Sequence, residues 1–179
     1  MTKLYIKQSI LDNNEIKSLI DEDGAIRKAG IYNSKDGSRE DDKTRKTSLK
    51  HVDRKKFPTV NQKLLNLLKV FRPDLDIKKF EVREYNFLIY NPGDHFTWHS
   101  DVIKPKGNNR IRKFSTSTIL SMTNDLQGGN FGIDDGSGYV ADIRLQQGET
   151  LLFDSNTRHR VAEVIKGQRV VLVAWIYDK

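Results

Sequence analysis

His99-Ser-Asp101 in the segment HFTWHSD and His159 in NTRHRV supply two imidazoles and one carboxylate, the set that holds Fe(II) as a facial triad and leaves three coordination positions open. Arg169 follows His159 by ten residues in KGQRVVLVAW. Its planar guanidinium fork matches a carboxylate bidentately, so the four residues together describe a metal beside an anion site. The same residues also admit a plainer reading, in which His99 is an ordinary strand histidine and Asp101 its solvent-facing neighbour at a turn.

Spacing bears on the choice. Residues two apart in a strand leave the same face, so His99 and Asp101 can reach one ion. His159 lies sixty positions downstream and has to arrive on a distant strand folded back against the first. The chain holds four histidines, His51, His95, His99 and His159, and two of them stand where the pattern requires them. The stretch 169–177 is apolar on both faces, with Val171, Val173 and Trp175 on the side of Arg169 and Val170, Leu172, Ala174 and Ile176 on the other. A guanidinium at the start of such a buried strand is costly to desolvate unless an anion meets it. That anion is either a protein carboxylate, Glu163 or Asp154, or a small dicarboxylate. Tyr90 could donate a hydroxyl to the same ligand, or pack in the core as strand aromatics usually do.

The elements that must position these residues change character along the chain. Asp12 with Glu15 forms a capping-box pattern that predicts a helix from about Asn13, with Ile16, Leu19 and Ile20 on its apolar face. Val60, Leu64, Leu67, Leu68 and Phe71 recur at spacings of three and four, predicting a helix over 58–71. Residues 24–56, polar and rich in both charge signs, read as a long loop with at most a short strand. From Lys79 onward eight short strands follow one another, each bounded by a turn signal such as Asn91-Pro92-Gly93, Gly128-Gly129 or Lys166-Gly167. Eight such strands suit a closed or double-sheet antiparallel fold, of which the jelly roll is the eight-stranded form.

Composition narrows the class further. A chain of 179 residues with 36% hydrophobic and 31% charged residues is expected to form one cored domain over 1–179. Within it, 1–78 is expected to be an N-terminal helical and loop support, and 79–179 the catalytic core. There is no cysteine, which excludes a disulfide framework, a thiolate zinc site, an iron-sulfur cluster and a cysteine nucleophile. The apolar runs LLNLLKVF and VVLVAWIY are too short or interrupted to span a bilayer, and Lys3 and Lys7 interrupt any signal core. A soluble, cytoplasmic protein with no membrane partner is the expectation. The net charge of +7 favours anionic partners, nucleic acid or acidic protein among them. Nothing in the sequence bears on oligomeric state.

From Tyr90 to Trp175 the chain resembles the Fe(II)- and 2-oxoglutarate-dependent dioxygenases of the prolyl 4-hydroxylase type. The pattern that carries the resemblance is Tyr90, Pro92-Gly93, Phe96, His99-Ser-Asp101, Gly128-Gly129, Gly148 with Phe153, His159, Arg169 and Trp175. The resemblance implies a mainly β fold with flanking helices and a double-stranded β-helix core, a cupin-like jelly roll. It implies Fe(II) on His99, Asp101 and His159, and the distal carboxylate of 2-oxoglutarate on Arg169 with help from Tyr90. The implied reaction uses O2 to decarboxylate 2-oxoglutarate to succinate and CO2 while a substrate is hydroxylated, and it asks no side chain to act as acid or base. In one place the chain departs from the pattern. Ile119-Leu120 stands where many relatives carry a tyrosine before the final leucine, which puts one co-substrate contact in question.

For the substrate, nucleic-acid demethylases of the superfamily follow the carboxylate-binding arginine six positions later with a second arginine. Position 175 here is Trp, favouring the prolyl hydroxylase branch and a peptide or protein substrate. Two basic segments could still draw an anion, IKPKGNNRIRK near the expected active-site mouth and Lys43 to Lys56 ahead of the second helix, which could fold over substrate. Arg110, Arg112 and Trp175 are the candidate substrate contacts. The alternatives are a nucleic-acid-directed oxidative demethylase or hydroxylase of the same superfamily, and a non-catalytic basic jelly-roll module. No aromatic interleaves the basic loops for base stacking, since Trp98 and Trp175 fall in presumed core strands. A zinc hydrolase lacks its HExxH motif and general-base glutamate.

Overall fold

The computed structural model of the chain describes residues 4–33, 37–102 and 111–179. β1 (Tyr5–Ser9) leads into α1 (Asn13–Asp21), and both halves of the capping box are made: the Asp12 side chain accepts from the Glu15 N–H at 2.9 Å, and the Glu15 side chain accepts from the Asp12 N–H at 3.0 Å. Five short strands follow, β2 (Arg27–Lys28), β3 (Ile31–Asn33), β4 (Gly37–Arg39), β5 (Arg45–Lys46) and β6 (Ser48–Val52), before α2 (Pro58–Phe71). Pro58 opens that helix, and the predicted stripe of Val60, Leu64, Leu67, Leu68 and Phe71 is its buried face.

The remainder is strand: β7 (Phe80–Tyr90), β8 (His95–His99), β9 (Arg112–Met122), β10 (Gln127–Gly128), β11 (Phe131–Asp134), β12 (Val140–Ile143), β13 (Glu149–Asp154), β14 (Arg158–Val161), β15 (Val164–Lys166) and β16 (Arg169–Asp178). A seven-stranded sheet has the order β1-β13-β9-β16-β7-β6-β2, and a five-stranded sheet the order β12-β11-β14-β8-β5. From β7 onward the chain passes back and forth between these sheets, as in a jelly roll, with β11 and β12 paired as a hairpin within the smaller one. Among the described residues every strand pairing is antiparallel, and β10 with β15 makes a separate two-stranded ladder. The turn glycines Gly93, Gly128, Gly129 and Gly167 all have positive φ, which only glycine adopts without strain.

The alternation along β16 assigns the two cores. Val170, Leu172, Ala174 and Ile176 pack with α1 and α2 on the outside of the seven-stranded sheet. Val171 belongs to a second cluster that joins both sheets, with Leu49, Leu88, Tyr90, Phe131, Phe153 and Val161. Ile119, at the departure noted above, is packed in this second cluster and Leu120 in the first.

Residues 24–56 are not the long loop their composition suggests. β6 pairs with β7 and β2 with β6 at one edge of the large sheet, while β5 pairs with β8 in the small one. β1 closes the other edge of the large sheet against β13. The N-terminal region therefore contributes strands to both sheets as well as helical and loop support. Lys50 shows how a charged residue fits there: its stem is buried, its Nζ lies 4.3 Å from the Phe87 ring centre, and it donates to the Ile20 carbonyl at the end of α1. Among the described residues no helix is long and apolar enough to cross a membrane.

Candidate active site

His99 ends β8 and stands directly opposite His159 on β14, which is the distant strand that the spacing demanded. Asp101 lies two residues beyond β8, where its backbone N–H is tied to the Ser155 carbonyl at 2.9 Å. The carboxylate bridges the two rings, with Oδ1 3.6 Å from His99 Nε2 and Oδ2 3.6 Å from His159 Nε2. One ligand atom from each of the three residues lies within 4.8 Å of the others.

Both histidines are set as donors of a lone pair. His99 Nδ1 donates to the Thr97 carbonyl at 2.7 Å and His159 Nδ1 to the Thr157 carbonyl at 2.9 Å. A carbonyl can only accept, so Nδ1 carries a proton in each ring and Nε2 is the nitrogen left to face a metal. Burial first, and the neighbouring His159 next, hold His99 down at about 4, so it is neutral at pH 7. Burial opposes the charge on Asp101. His159, His99 and the hydrogen bond from Trp175 outweigh it and keep the carboxyl below its ordinary range. That last bond, from Trp175 Nε1 to Asp101 Oδ2, is 3.0 Å long.

Three phenylalanines hold the imidazoles in place. Phe96 stacks on His99 with centroids 3.5 Å apart, Phe131 stacks on His159 at 5.4 Å, and Phe153 meets His159 edge-on at 4.7 Å. Phe96 and His99 are three apart yet reach the same space, because the β14 to β8 register shifts between His159 and Val161. Of the three, Phe131 was not singled out from sequence, although its place in GNFGI opposite the His159 strand is a signal a pairing argument could have used.

Arg169 is 3% exposed and directly opposite Tyr90 across β16 and β7. Neither Glu163 nor Asp154 partners it; its NH1 donates to the Gly129 carbonyl, while Nε and NH2 are buried with no acceptor. Burial pushes the guanidinium down to about 10, which still leaves it charged near neutrality. A cavity of about 750 Å³ lies between the sheets. His99, Asp101, His159, Tyr90 and Val171 line it; Arg169 does not, and sits beside that wall with its guanidinium 5.5 Å from the Tyr90 ring centre.

The candidate substrate contacts divide. Arg110 lies outside the described residues, as do Lys104 and Lys106. Arg112 and Trp175 both line the cavity and stack at 3.9 Å, but each is already engaged, Arg112 by Glu84 at 2.9 Å and the Tyr177 hydroxyl at 2.8 Å, and Trp175 by Asp101. Trp98 is not a core residue. It is half-buried, away from the cavity lining, between Arg158 and Arg160 at 5.4 and 4.9 Å. Arg45, from the basic run 43–56, lines the cavity, as do His51 and Asn86, to which sequence reasoning assigned no role.

Residues 85–177 match the family model of the 2OG-Fe(II) oxygenase superfamily. The chain belongs to that superfamily. Among curated relatives of this oxygenase-family chain, a PKHD-type hydroxylase of Synechococcus sp. (strain CC9605) is 33% identical over 104 residues, covering 56% of this chain and 46% of the relative. One from Idiomarina loihiensis is 34% identical over 88 residues, covering 49% and 38%. The chain thus spans less than half the length of these relatives. Among solved structures, a Pseudomonas putida prolyl-4-hydroxylase superposes with a TM-score of 0.70 at 18% identity, covering 99% of this chain and 94% of that one. A collagen prolyl hydroxylase of Paramecium Bursaria Chlorella virus-1, solved with 2OG, gives 0.67 at 17% identity over 99% and 97%. At such identities the likeness is one of fold, and it bears out the jelly roll.

The family's Fe(II) and 2-oxoglutarate fit the residues present. The donor set is two imidazole nitrogens and one carboxylate, the combination suited to non-haem Fe(II). The orphaned N–H groups of Arg169 are what a carboxylate would satisfy, since a buried cation without an anion is otherwise uncompensated.

Proposed function

We propose that the chain is an Fe(II)- and 2-oxoglutarate-dependent dioxygenase that hydroxylates a prolyl residue in a peptide or protein. His99, Asp101 and His159 hold the iron, and Arg169 with Tyr90 takes the distal carboxylate of 2-oxoglutarate. The observation that supports this most is the coexistence of the His-Asp-His cluster with a buried guanidinium that has no acidic partner. The reading takes residues 1–179 as one folding unit, because β1, β2, β5 and β6 complete the two sheets. It also places the enzyme in the cytoplasm.

When bound, the iron and co-substrate supply the oxidising chemistry, in which O2 decarboxylates 2-oxoglutarate to succinate and CO2 and leaves one oxygen atom for a substrate C–H bond. The residues of the chain position these partners. The Thr97 and Thr157 carbonyls fix the histidine tautomers, and Trp175 orients the Asp101 carboxylate. Phe96, Phe131 and Phe153 keep the imidazoles from rotating and water from their faces. Arg169 anchors the far end of the co-substrate, and Arg112 stacked on Trp175 shapes the substrate side of the cavity.

The test is incubation with Fe(II), 2-oxoglutarate, a panel of proline-containing peptides and alkylated oligonucleotides, followed by mass spectrometry. Succinate formation and a gain of one oxygen on proline are expected, both abolished in His99→Ala. A purified protein that binds neither iron nor 2-oxoglutarate would overturn the oxygenase assignment, and loss of an alkyl group from a base would move the substrate to nucleic acid.

A further inference from the structure

The wall of the cavity that does not come from the family-matched residues is cationic. Arg27, Lys28, Arg39 and Arg45 line it from the N-terminal strands. Two of the four are answered by carboxylates, Lys28 Nζ by Glu40 at 3.2 Å and Asp42 at 2.7 Å and Arg39 by Asp41 at 3.9 Å, while Arg27 NH2 meets His51 Nε2 at 2.7 Å. Arg45 is different. Its NH1 donates to the Gly30 carbonyl at 3.0 Å, its Nε is buried with no acceptor, and among the described residues no carboxylate lies within ion-pair distance of it.

Its position is fixed relative to the candidate metal ligands. Arg45 pairs with Phe96 in the β5 to β8 ladder, its guanidinium lies 4.6 Å from the Phe96 ring centre, and that ring stacks on His99 at 3.5 Å. Guanidinium and imidazole both lie against the Phe96 ring, so they are at most on the order of 8 Å apart, a little over two residues of extended peptide at ~3.3 Å each. In the same cavity the buried Asn86 has an Oδ1 with no donor. An acidic peptide offers a carboxylate for the first group and backbone N–H for the second, whereas the phosphodiester backbone of an oligonucleotide offers no N–H.

We propose that Arg45 is a specificity-determining residue that selects a peptide substrate carrying a carboxylate side chain within two positions of the residue that reacts. The proposal rests on the hydroxylase reading above and refines it. Arg45 meets the substrate carboxylate, Phe96 holds the guanidinium flat, and Asn86 accepts from the peptide backbone.

Trp175 lines the cavity, so tryptophan fluorescence reports its occupancy. The probes are two acetylated peptide amides, Gly-Glu-Pro-Glu-Gly and Gly-Gln-Pro-Gln-Gly, and a single-stranded oligonucleotide, titrated into the 179-residue chain loaded with Mn(II) and 2-oxoglutarate. Wild type should bind the glutamate peptide about tenfold or more tightly than the glutamine one, as expected for a hydrogen bond between charged partners. Arg45→Gln should erase the difference, Arg45→Lys should restore part of it, and 2-oxoglutarate affinity should stay within about twofold in both. Equal binding of the two peptides by wild type, a preference surviving in Arg45→Gln, tighter binding of the oligonucleotide, or loss of 2-oxoglutarate affinity in its place would each overturn the proposal. Failure of the hydroxylase reading is seen separately, as absence of succinate formation by wild type with Fe(II), whatever the peptides do.

Discussion

Arg169→Met separates the cost of a buried cation from its use, because the two should move in opposite directions. Without a ligand, the wild-type guanidinium keeps one hydrogen bond, to the Gly129 carbonyl, and leaves Nε and NH2 without acceptors. Each unsatisfied buried group costs ~1–3 kcal/mol. Methionine removes both, leaves the Gly129 carbonyl without its donor at a similar cost, and fills comparable apolar volume. The balance favours the variant by ~1–3 kcal/mol, or roughly 2–10 °C in melting temperature for a chain of this size. With 2-oxoglutarate present the order should reverse. A ligand at about 1,000 times its Kd adds ~4.1 kcal/mol to the wild type and nothing to a variant that cannot bind it. The assay is thermal unfolding of both proteins loaded with Mn(II), with and without 2-oxoglutarate. A variant that melts below wild type in the absence of co-substrate would mean the guanidinium is already satisfied, and a variant still protected by 2-oxoglutarate would put the carboxylate site elsewhere.

Trp175→Phe keeps the ring stacked on Arg112 but removes the N–H that Asp101 accepts, so Fe(II) affinity should fall about 10- to 100-fold, read by anaerobic calorimetry, with the fold retained. Gly129→Ala places a Cβ 3.0 Å from the Arg169 Cδ at a φ of +66°, and should cost ~1–2 kcal/mol in stability and weaken 2-oxoglutarate binding while leaving metal binding intact. Unchanged co-substrate affinity in that variant would detach Arg169 from the co-substrate. Burial pushes Tyr177 up to about 12 and raises Tyr85 and Tyr90 as well. The unfolded chain releases these phenolic protons near the ordinary value and the folded one holds them, so this part of the stability is complete below pH 10 and is lost as pH rises from 10 through 12. Absorbance at 295 nm should then show these phenols ionising together with unfolding, and Tyr177→Phe should flatten the alkaline limb of the stability curve.

The parts of the site that could be read in advance are those whose chemistry and spacing coincide. His99 and Asp101 share a face because of strand geometry, and Arg169 stood out because a guanidinium is conspicuous among eight valine, leucine, isoleucine, alanine and aromatic neighbours. The helices were equally legible, one from a capping box and one from a stripe of five apolar residues, since both signals are local. The strands of 24–56 were hidden for a physical reason. Edge strands need only backbone pairing and one wet face, so Arg27-Lys28 and Arg45-Lys46 form ladders with no apolar alternation at all. Lys50 masks its strand further, because its burial depends on carbonyls at the end of α1, thirty residues back. Arg45 looked like one of seven solvated cations in a basic run, and only the pairing of β5 with β8 sets it apart. Trp98 misled in the other direction, since an aromatic in a strand suggests core and here lies between two arginines.

The two walls of the cavity come from different stretches of the chain, the reactive one from residues 85–177 and the facing one largely from residues 27–51. The facing wall is attached through short backbone ladders at sheet edges, where side-chain identity is weakly constrained. On the proposed reading, Arg45 would select from one tract, while Asn86, Arg112 and Trp175 would do so from the tract that carries the metal ligands. Exchanging Arg45 alone would change the charge that faces an entering molecule while His99, Asp101 and His159 keep their own strands.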